Sequence, residues 1–247
     1  MNSNLKTQPT QAMNKPDPQV IQSMFSKVAA NYDRTNTILS LGIHHLWRDK
    51  LVKKSGAKAG DQILDCATGT GDLAIAFKKA VGPSGTVIGT DFNEAMLSTA
   101  PFKAKAKNLD IKFEIADVTQ LPYADQKFDI CSISFGIRNV NDPVKALQEM
   151  GRVCKPGGQV IVLEFGQMSI PVVSNLYGFY SEKILPKLGG VVTGQHEAYN
   201  YLQKSSAAFP CREGFLKLMI EAGCFAKTEF VPVSLGIAYI YIGHVKN

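Results

Sequence analysis

The sequence predicts an α/β protein built on a doubly wound, mostly parallel β-sheet that ends in an antiparallel hairpin strand. Three observations predict this fold class. Short, nearly continuous apolar runs alternate with helical patterns over residues 62–165, which is typical of parallel strands covered on both faces. A glycine-rich loop directly follows the first apolar run. The last two apolar runs are joined by a short turn around Ser234–Gly236 rather than by a helix.

The N-terminal segment 18–55 predicts helices, because apolar side chains recur in it at three- and four-residue spacing. We expect a first helix, then a short second helix capped by Thr35 or Asn36. A third helix carries Trp47 and ends before Gly56.

The middle of the chain alternates strands and helices. The predicted strands are Gln62–Cys66, Thr86–Thr90, Ile111–Ala116, Phe128–Ser134 and Gln159–Phe165. The predicted helices are Asp72–Val81, Glu94–Lys107 with Asn93 as its cap, and Pro143–Val153. The sequence Lys155-Pro156-Gly157-Gly158 predicts a turn before the fifth strand.

The C-terminal part departs from this alternation. Residues 168–210 are rich in aromatic side chains and predict an insertion that covers the end of the sheet where ligands bind. A helix over Arg212–Ala222 and two strands, Ala226–Pro232 and Ile237–His244, are expected to complete the fold.

The length and composition predict one domain preceded by a polar tail. The chain has 247 residues, of which 45% are hydrophobic, and this suits a single sizeable core. Residues 1–17 are rich in polar side chains, so we expect a disordered tail followed by one domain over residues 18–247. The sequence shows no apolar leader and no long apolar stretch, which favours a cytoplasmic location.

The net charge, the cysteines and the histidines limit which binding partners, disulfides and metal sites we expect. A net charge of +6 mildly favours anionic partners, but no run of five basic residues occurs, and we predict no nucleic-acid partner. The five cysteines form no CxxC pair, and the four histidines show no metal-ligand spacing. We therefore predict neither a disulfide framework nor a metal site. His196 is expected to be a surface histidine, and a catalytic role stays open because it lies in the aromatic segment.

The first candidate site is the loop after the first strand. Gly69 and Gly71 allow a sharp turn and a close approach of the backbone to a ligand. Asp91, about 20 residues later, closes the second strand, where a carboxylate can accept hydrogen bonds from both ribose hydroxyls. Strand, loop and acid together predict a nucleoside site. The alternative is a ligand-free turn with Asp91 as a helix cap.

Acidic residues near this loop favour a cationic ligand without phosphates. Asp65 ends the first strand and Asp72 opens the next helix, and both carboxylates would repel a pyrophosphate. S-adenosylmethionine fits because it carries a sulfonium and an ammonium group. Ala74 also stands where the dinucleotide fingerprint has its third glycine.

Two later positions complete the candidate site. Asp117, at the end of the third strand, can accept a hydrogen bond from an adenine amine, although an Asp that caps a turn is equally expected there. Arg138 follows the fourth strand. Its permanent charge makes it a poor base but suits it to stabilise a phenolate or enolate, or to orient a water. The alternative for Arg138 is a structural ion pair with Asp142 or Glu164.

Together these motifs resemble the ubiquinone/menaquinone biosynthesis C-methyltransferases from about Phe25 to the C-terminus. The resemblance rests on Tyr32-Asp33, Gly42-Ile43-His44, Leu64–Asp72, Asp91 with Asn93–Leu97, Leu121-Pro122, Ile133–Val140, Lys155–Gly158, Leu163–Phe165 and Tyr199–Leu202. The glycine loop and the Lys-Pro-Gly-Gly turn occur in many methyltransferases. Ile133–Val140 and Leu163–Phe165 are more specific to this family.

The resemblance implies a class I methyltransferase with a Rossmann-like sheet and S-adenosylmethionine as cofactor. It implies C-methylation of a demethylated polyprenyl quinol, either demethylmenaquinol or a ubiquinone precursor. The implied cofactor positions are Thr70, Asp91, Asp117, Val118 and Ser134, and Arg138 matches the arginine that helps to activate the quinol. The sequence departs from the family at Thr68, which is often Gly or Cys, and at Asp117, which is often Asn.

The isoprenoid tail of such a substrate implies a peripheral contact with the inner-membrane surface. A homodimer is also compatible with the resemblance. Three alternatives stay open: a methyltransferase for another lipid-like acceptor, a regulator that binds the cofactor without catalysis, and an RNA methyltransferase. The absence of an appended RNA-binding domain and of a basic stripe counts against the last.

Overall fold

The computed structural model describes residues 17–167 and 196–247. The predicted tail, apart from its last residue, lies outside the described residues. So does most of the predicted insertion, residues 168–195. Among the described residues, no helix is both long and apolar enough to cross a bilayer.

The described residues form a seven-stranded sheet in the order β3-β2-β1-β4-β5-β7-β6. The strands are β1 Gln62–Cys66, β2 Thr86–Asp91, β3 Lys112–Ile115, β4 Phe128–Ser134, β5 Cys154–Phe165, β6 Phe225–Val233 and β7 Ala238–Val245. All neighbours pair in parallel except β7, which runs antiparallel to β5 and β6. The chain therefore reverses its strand order at β1 and β4, the point where open α/β sheets place their ligands.

Helices pack on both faces of the sheet. They are α1 Pro18–Val28, α2 Tyr32–Leu39, α3 Ile43–Lys54, α4 Asp72–Val81, α5 Glu94–Leu97, α6 Ala100–Lys105, α7 Pro143–Val153, α8 His196–Ala208 and α9 Glu213–Glu221. Short 3₁₀ turns cover Ala29–Asn31, Ile137–Asn139 and Ser234–Gly236.

The core consists of two apolar clusters, one on each face of the sheet. On β1, Ile63 joins the cluster under α3 and α4, while its neighbour Leu64 joins the cluster under α7 and α9. Successive side chains of a strand point to opposite faces, so a short continuous apolar run fills both clusters. Cys66, Cys131 and Cys154 are buried in this core, and all five cysteines are free thiols.

The structure corrects three of the predicted elements. The predicted helix Glu94–Lys107 is two helices, because Pro101 has no N–H to donate to the carbonyl of Leu97. Helix α2 begins at Tyr32, so Thr35 and Asn36 lie inside it and do not cap it.

The predicted turn at residues 155–158 lies within β5. The register jumps from the pair Phe128–Cys154 to the pair Ile130–Gln159, and the four residues between bulge out of the ladder. The bounds of β1, α4, β4 and α7 match the prediction, and those of β2, β3, β6, β7 and α9 agree within one residue. Strand β5 begins five residues earlier than predicted, because it includes the predicted turn.

Asn93 fastens helix α1 to the carboxyl end of β2. Its Oδ1 accepts from the Met96 N–H at 3.1 Å, which confirms it as the cap of α5. Its Nδ2 donates to the carbonyl of Gln22 on α1 at 2.8 Å. A single buried amide thus satisfies groups on two elements that lie about 70 residues apart in sequence.

We therefore expect Asn93→Ala to lower the free energy of unfolding by about 1–2 kcal/mol, since it removes a cap and a buried hydrogen bond. It should also speed tryptic cleavage after Lys27 on α1. Denaturant unfolding and limited proteolysis measure the two effects. Ser98→Ala, which removes an exposed local hydrogen bond to Ala95, is the matched control and should change little. Equal effects of the two variants would contradict the role of Asn93.

Candidate active site

A cavity of about 350 Å³ opens at the carboxyl ends of the central strands, and we call it the strand-end cavity. Its floor is formed by the loops after β1, β2, β3 and β4, and α1 covers it. Its lining includes Gly69, Asp91, Asp117, Val118 and Ser134, with Phe25, Tyr32 and Phe135 at its side. Five of the seven predicted cofactor positions are therefore brought together.

The floor of the cavity rests on two strained backbone positions. Ala67 after β1 has φ +47° and Phe135 after β4 has φ +56°, which is costly for residues with a side chain. A Cβ added to Gly136 would lie 2.5 Å from the Cβ of Ala67, so the two loops touch at the glycine. This close contact closes the floor between β1 and β4 and explains why a glycine follows Phe135.

Asp91 holds the glycine loop against the end of β2. One carboxylate oxygen accepts from the Gly69 N–H at 2.7 Å and the other from the Asn93 N–H at 2.8 Å. Burial raises the pKa of Asp91, although these backbone donors act against the rise. Each oxygen keeps a lone pair for a second donor, so the carboxylate can still accept from ligand hydroxyls.

Ser134 has an unsatisfied hydroxyl at the cavity wall. Its Oγ is buried and finds no hydrogen-bond partner among the described residues. A buried hydroxyl without a partner costs about 1–3 kcal/mol. A polar ligand atom at this position would remove that cost, so the residues present fit a polar occupant.

Thr70 and Gly71, two predicted cofactor positions, do not line the cavity. The Thr70 hydroxyl donates to Asp33 at 2.5 Å. A Cβ on Gly71 would lie 2.9 Å from the Cβ of Ala100, and the residue has φ +84°. Gly71 therefore serves the packing of the loop on α6 rather than the approach of a ligand.

The two acids that suggested a cationic ligand are also turned inward. Asp72 binds Arg48 at 2.9 Å and Lys103 at 2.5 Å, and these cations lower its pKa against the effect of burial. Asp65 is almost fully buried and accepts from the hydroxyls of Thr68 at 2.6 Å and Ser132 at 2.7 Å. Neither Asp65 nor Asp72 therefore lines the cavity, whereas Asp91 and Asp117 do.

An apolar chamber of about 380 Å³ lies beside the strand-end cavity. It is enclosed by α1, α2, α3, the ends of β4 and β5, and α8. Phe25, Tyr32 and Phe135 line both spaces, so the two cavities share one wall. Burial raises the pKa of the Tyr32 phenol in this wall, so it stays protonated at neutral pH.

Arg138 lines the apolar chamber and is buried. Its Nη1 donates to Glu164 at 2.8 Å and to the Phe135 carbonyl at 2.6 Å. Of the two predicted ion-pair partners, Glu164 is confirmed, whereas Asp142 caps α7 instead. The Nε of Arg138 is buried without a partner among the described residues. The guanidinium thus keeps a donor that a ligand in this region can use.

His44 is the chamber residue that the sequence reasoning missed. Its Nδ1 lies 2.5 Å from the hydroxyl of Ser40, and that hydroxyl donates to the carbonyl of Asn36 at 2.7 Å. Because the hydroxyl has one proton, Nδ1 must carry its own hydrogen and donate it. Nε2 is then the acceptor, and burial lowers the pKa of His44 to about 4, so the ring is neutral. The sequence offers His44 only as part of the motif Gly42-Ile43-His44, and its spacing gives no sign that the ring lies in the chamber.

A metal ion finds little support at this place. His44, His45 and Asp72 bring ligand atoms within 4.8 Å of one another, but both oxygens of Asp72 already bind cations. His196, which stayed open as a catalytic residue, has a side chain outside the described residues.

Comparison with known proteins identifies close relatives. A model of the ubiE/COQ5 methyltransferase family matches residues 12–245. A ubiquinone/menaquinone biosynthesis C-methyltransferase UbiE from Bdellovibrio bacteriovorus is 71% identical over 94% of this chain and 98% of its own length. A UbiE protein from Hydrogenovibrio crunogenus is 40% identical over 90% of this chain and 88% of its own length.

Solved structures show the same fold at low sequence identity. A SAM-dependent methyltransferase from Thermotoga maritima has a TM-score of 0.64 and 21% identity, covering 91% of this chain and 99% of its own. One from Aquifex aeolicus has a TM-score of 0.60 and 18% identity, covering 93% and 98%. The predicted class I methyltransferase fold is therefore confirmed. The [4+2]-cyclase SpnF, with a TM-score of 0.59, 15% identity and coverage of 96% and 99%, shares it too, so the fold alone does not fix the reaction.

The buried Asp65 makes stability depend on pH. Burial raises its pKa from 3.8 to about 6, so the folded protein favours the protonated acid. Its contribution to stability is present below about pH 4 and is lost as the pH rises through about 6, which costs about 3 kcal/mol at neutral pH. Asp65→Asn cannot ionise, so its stability relative to the parent should increase by about this amount from pH 4 to pH 7.

Denaturant unfolding of both proteins at several pH values measures the difference. Asp110→Asn, at an exposed acid, is the control and should track the parent across the range. A pH-independent difference between Asp65→Asn and the parent would show that Asp65 ionises normally in the fold.

Proposed function

Because the chain belongs to the ubiE/COQ5 methyltransferase family, we propose that it transfers a methyl group from S-adenosylmethionine to a ring carbon of a demethylated polyprenyl quinol. The acceptors we propose are demethylmenaquinol and the 2-methoxy-6-polyprenyl-benzoquinol of ubiquinone synthesis. One observation carries the proposal: the strand-end cavity, which contains Asp91, Asp117 and Ser134, and the apolar chamber meet at a common wall formed by Phe25, Tyr32 and Phe135.

The strand-end cavity fits the cofactor. Asp91 offers carboxylate oxygens for ribose hydroxyls, Asp117 and Val118 lie where an adenine would bind, and Ser134 offers its unsatisfied hydroxyl. When bound there, S-adenosylmethionine supplies an electrophilic methyl group on a sulfonium. Thr70 is expected to act through Asp33 and the loop rather than by touching the cofactor.

The apolar chamber fits a flat aromatic acceptor. The rings of Phe135 and Phe165 lie 4.4 Å apart between centroids, and Trp47 lies 6.0 Å from Phe135. Aromatic surfaces of this kind stack on a quinol ring and exclude water from it. Phe135 is also part of the common wall, so a ring stacked beside it lies next to the strand-end cavity.

Arg138 and His44 supply the polar groups that a quinol needs. A ring carbon becomes nucleophilic when a hydroxyl gives up its proton, and a fixed cation in a dry site stabilises the resulting phenolate. Arg138 keeps its charge and a buried Nε donor after pairing with Glu164. His44 Nε2 is a neutral acceptor on the α3 side of the same chamber.

The cover of the chamber includes α8. Tyr201 and Leu202 line the chamber, and the Tyr201 hydroxyl donates to Asn139 at 3.0 Å beside the strand-end cavity. These residues belong to the aromatic insertion predicted over 168–210, whose covering role we retain as a proposal. A cytoplasmic location, a peripheral membrane contact and a homodimer likewise stay predictions.

Transfer of labelled methyl groups tests the proposed reaction. Purified protein, S-adenosylmethionine labelled in its methyl group and each reduced acceptor are incubated separately, and the product is identified by mass spectrometry and NMR. We expect label on a ring carbon of one or both quinols. Label only on another lipid would assign a different acceptor. Cofactor binding without transfer to any lipid would indicate a regulator.

Asp91→Ala should weaken the binding of S-adenosylmethionine by at least about tenfold, since it removes a charged acceptor at the ribose position and frees Gly69. Isothermal titration calorimetry measures the affinity without an acceptor present. Asp110→Ala, at an exposed acid outside both cavities, is the control and should bind normally. Unchanged affinity in a folded Asp91→Ala protein would sink the proposed cofactor site.

Arg138 can be tested without leaving a buried charge behind. Arg138→Gln alone strands Glu164 and should destabilise the fold by about 3–5 kcal/mol. The double variant Arg138→Gln with Glu164→Gln removes both charges and should fold, yet its kcat should fall by about 100-fold or more. Cofactor affinity should persist, because Arg138 does not line the strand-end cavity. A double variant whose kcat lies within a few fold of the parent's would show that Arg138 has a purely structural role.

A further inference from the structure

We propose that the turn between α2 and α3 docks on an anionic lipid bilayer and opens the apolar chamber towards it. The docking surface, called the hairpin patch, consists of Ile38, Leu41, Ile43 and Leu46. Their exposed fractions are 41%, 85%, 38% and 66%. Four large apolar side chains within nine residues form a concentrated exposed patch, which marks an interaction site more often than scattered residues do.

Leu41 shows that the patch is built at a cost. It adopts φ +50°, a conformation that Gly or Asn adopts readily and that strains a leucine. Its side chain is nevertheless the most exposed of the large apolar side chains described, and Gly42 follows it with φ +75°. A turn that only reverses the chain needs no leucine there. A strained backbone conformation that exposes an apolar side chain indicates that this side chain takes part in binding.

The hairpin patch is continuous with the apolar chamber. Leu41 and Ile43 line the chamber and are also exposed, so they form part of its rim. The choice of lipid as the occupant rests on the proposed function. A chamber of about 380 Å³ holds a drug-sized headgroup, so a polyprenyl tail must leave it. A rim of apolar side chains lets that tail pass directly into hydrocarbon.

The charge around the hairpin favours an anionic surface. Residues 18–54 contain six basic and two acidic residues, and so carry four of the six net positive charges of the chain. Arg34 lies one helical turn before Ile38 on the same face of α2. Of the two acids, Asp33 already binds Lys103. Basic residues beside inserted apolar side chains are the combination by which proteins bind anionic membranes reversibly.

Vesicle binding of single variants tests the patch. The full-length protein is mixed with sedimentable vesicles of phosphatidylglycerol and phosphatidylcholine, or of phosphatidylcholine alone. Leu46 is the residue to change, because it lies outside both cavities. We expect Leu46→Asn to lower the partition coefficient by at least about tenfold without altering charge. Ile220→Asn, on α9 and 67% exposed, is the matched control and should bind like the parent.

Three outcomes would overturn the proposal. The parent could fail to bind the anionic vesicles, or Leu46→Asn and Ile220→Asn could lose equal affinity. Leu46→Asn could instead convert a dimer to a monomer by light scattering and leave vesicle binding unchanged, which would make the patch an interface between two copies.

Methyl transfer to a soluble quinol without a polyprenyl tail separates this proposal from the proposed function. Leu46→Asn should retain that activity. Vesicle binding by a protein that transfers no methyl group would leave the docking surface standing and remove the proposed reaction.

Discussion

The reversal of strand order at β1 and β4 is the constraint on which the rest of this structure depends. The loops that leave these two parallel strands turn to opposite faces of the sheet and leave a crevice between them. The crevice has a closed floor because Ala67 and Phe135 adopt strained conformations and Gly136 lets the two loops touch. Ala67, Phe135 and Gly136 line the strand-end cavity, and Phe135 also lines the apolar chamber.

The N-terminal helices turn the crevice into two separate spaces. Helix α1 covers the strand-end cavity, and α2 and α3 enclose the apolar chamber. A chain of charges fixes α2 and α3 on the glycine loop: Asp33 accepts from Thr70 and Lys103, while Asp72 binds Lys103 and Arg48. The shared wall of Phe25, Tyr32 and Phe135 is therefore held from both sides. This wall separates the strand-end cavity from the apolar chamber.

Charge is neutralised inside the protein before any ligand binds. Glu164 pairs with Arg138, and Asp72 pairs with Lys103 and Arg48. Burying unpaired charges would cost several kcal/mol each, so these pairs are needed for the fold itself. Three groups near the cavities keep unused hydrogen-bonding capacity: the Ser134 hydroxyl, the Arg138 Nε and the carboxylate of Asp91. The proposed function relies on these remaining hydrogen-bonding groups.

The sequence by itself determined the sheet and several positions of the site, because these depend on local patterns. Buried parallel strands are short apolar runs, so Gln62–Cys66 and Phe128–Ser134 were located correctly. Asp91, predicted as a cofactor position because it ends a strand after a glycine loop, lines the strand-end cavity. Only the tertiary structure decided which polar side chains face a cavity. Asp72 and Thr70 are turned to Lys103 and Asp33, more than 30 residues away, and the buried His44 has no signature in its neighbours. Such choices depend on contacts between distant segments, and a local pattern carries no information about them.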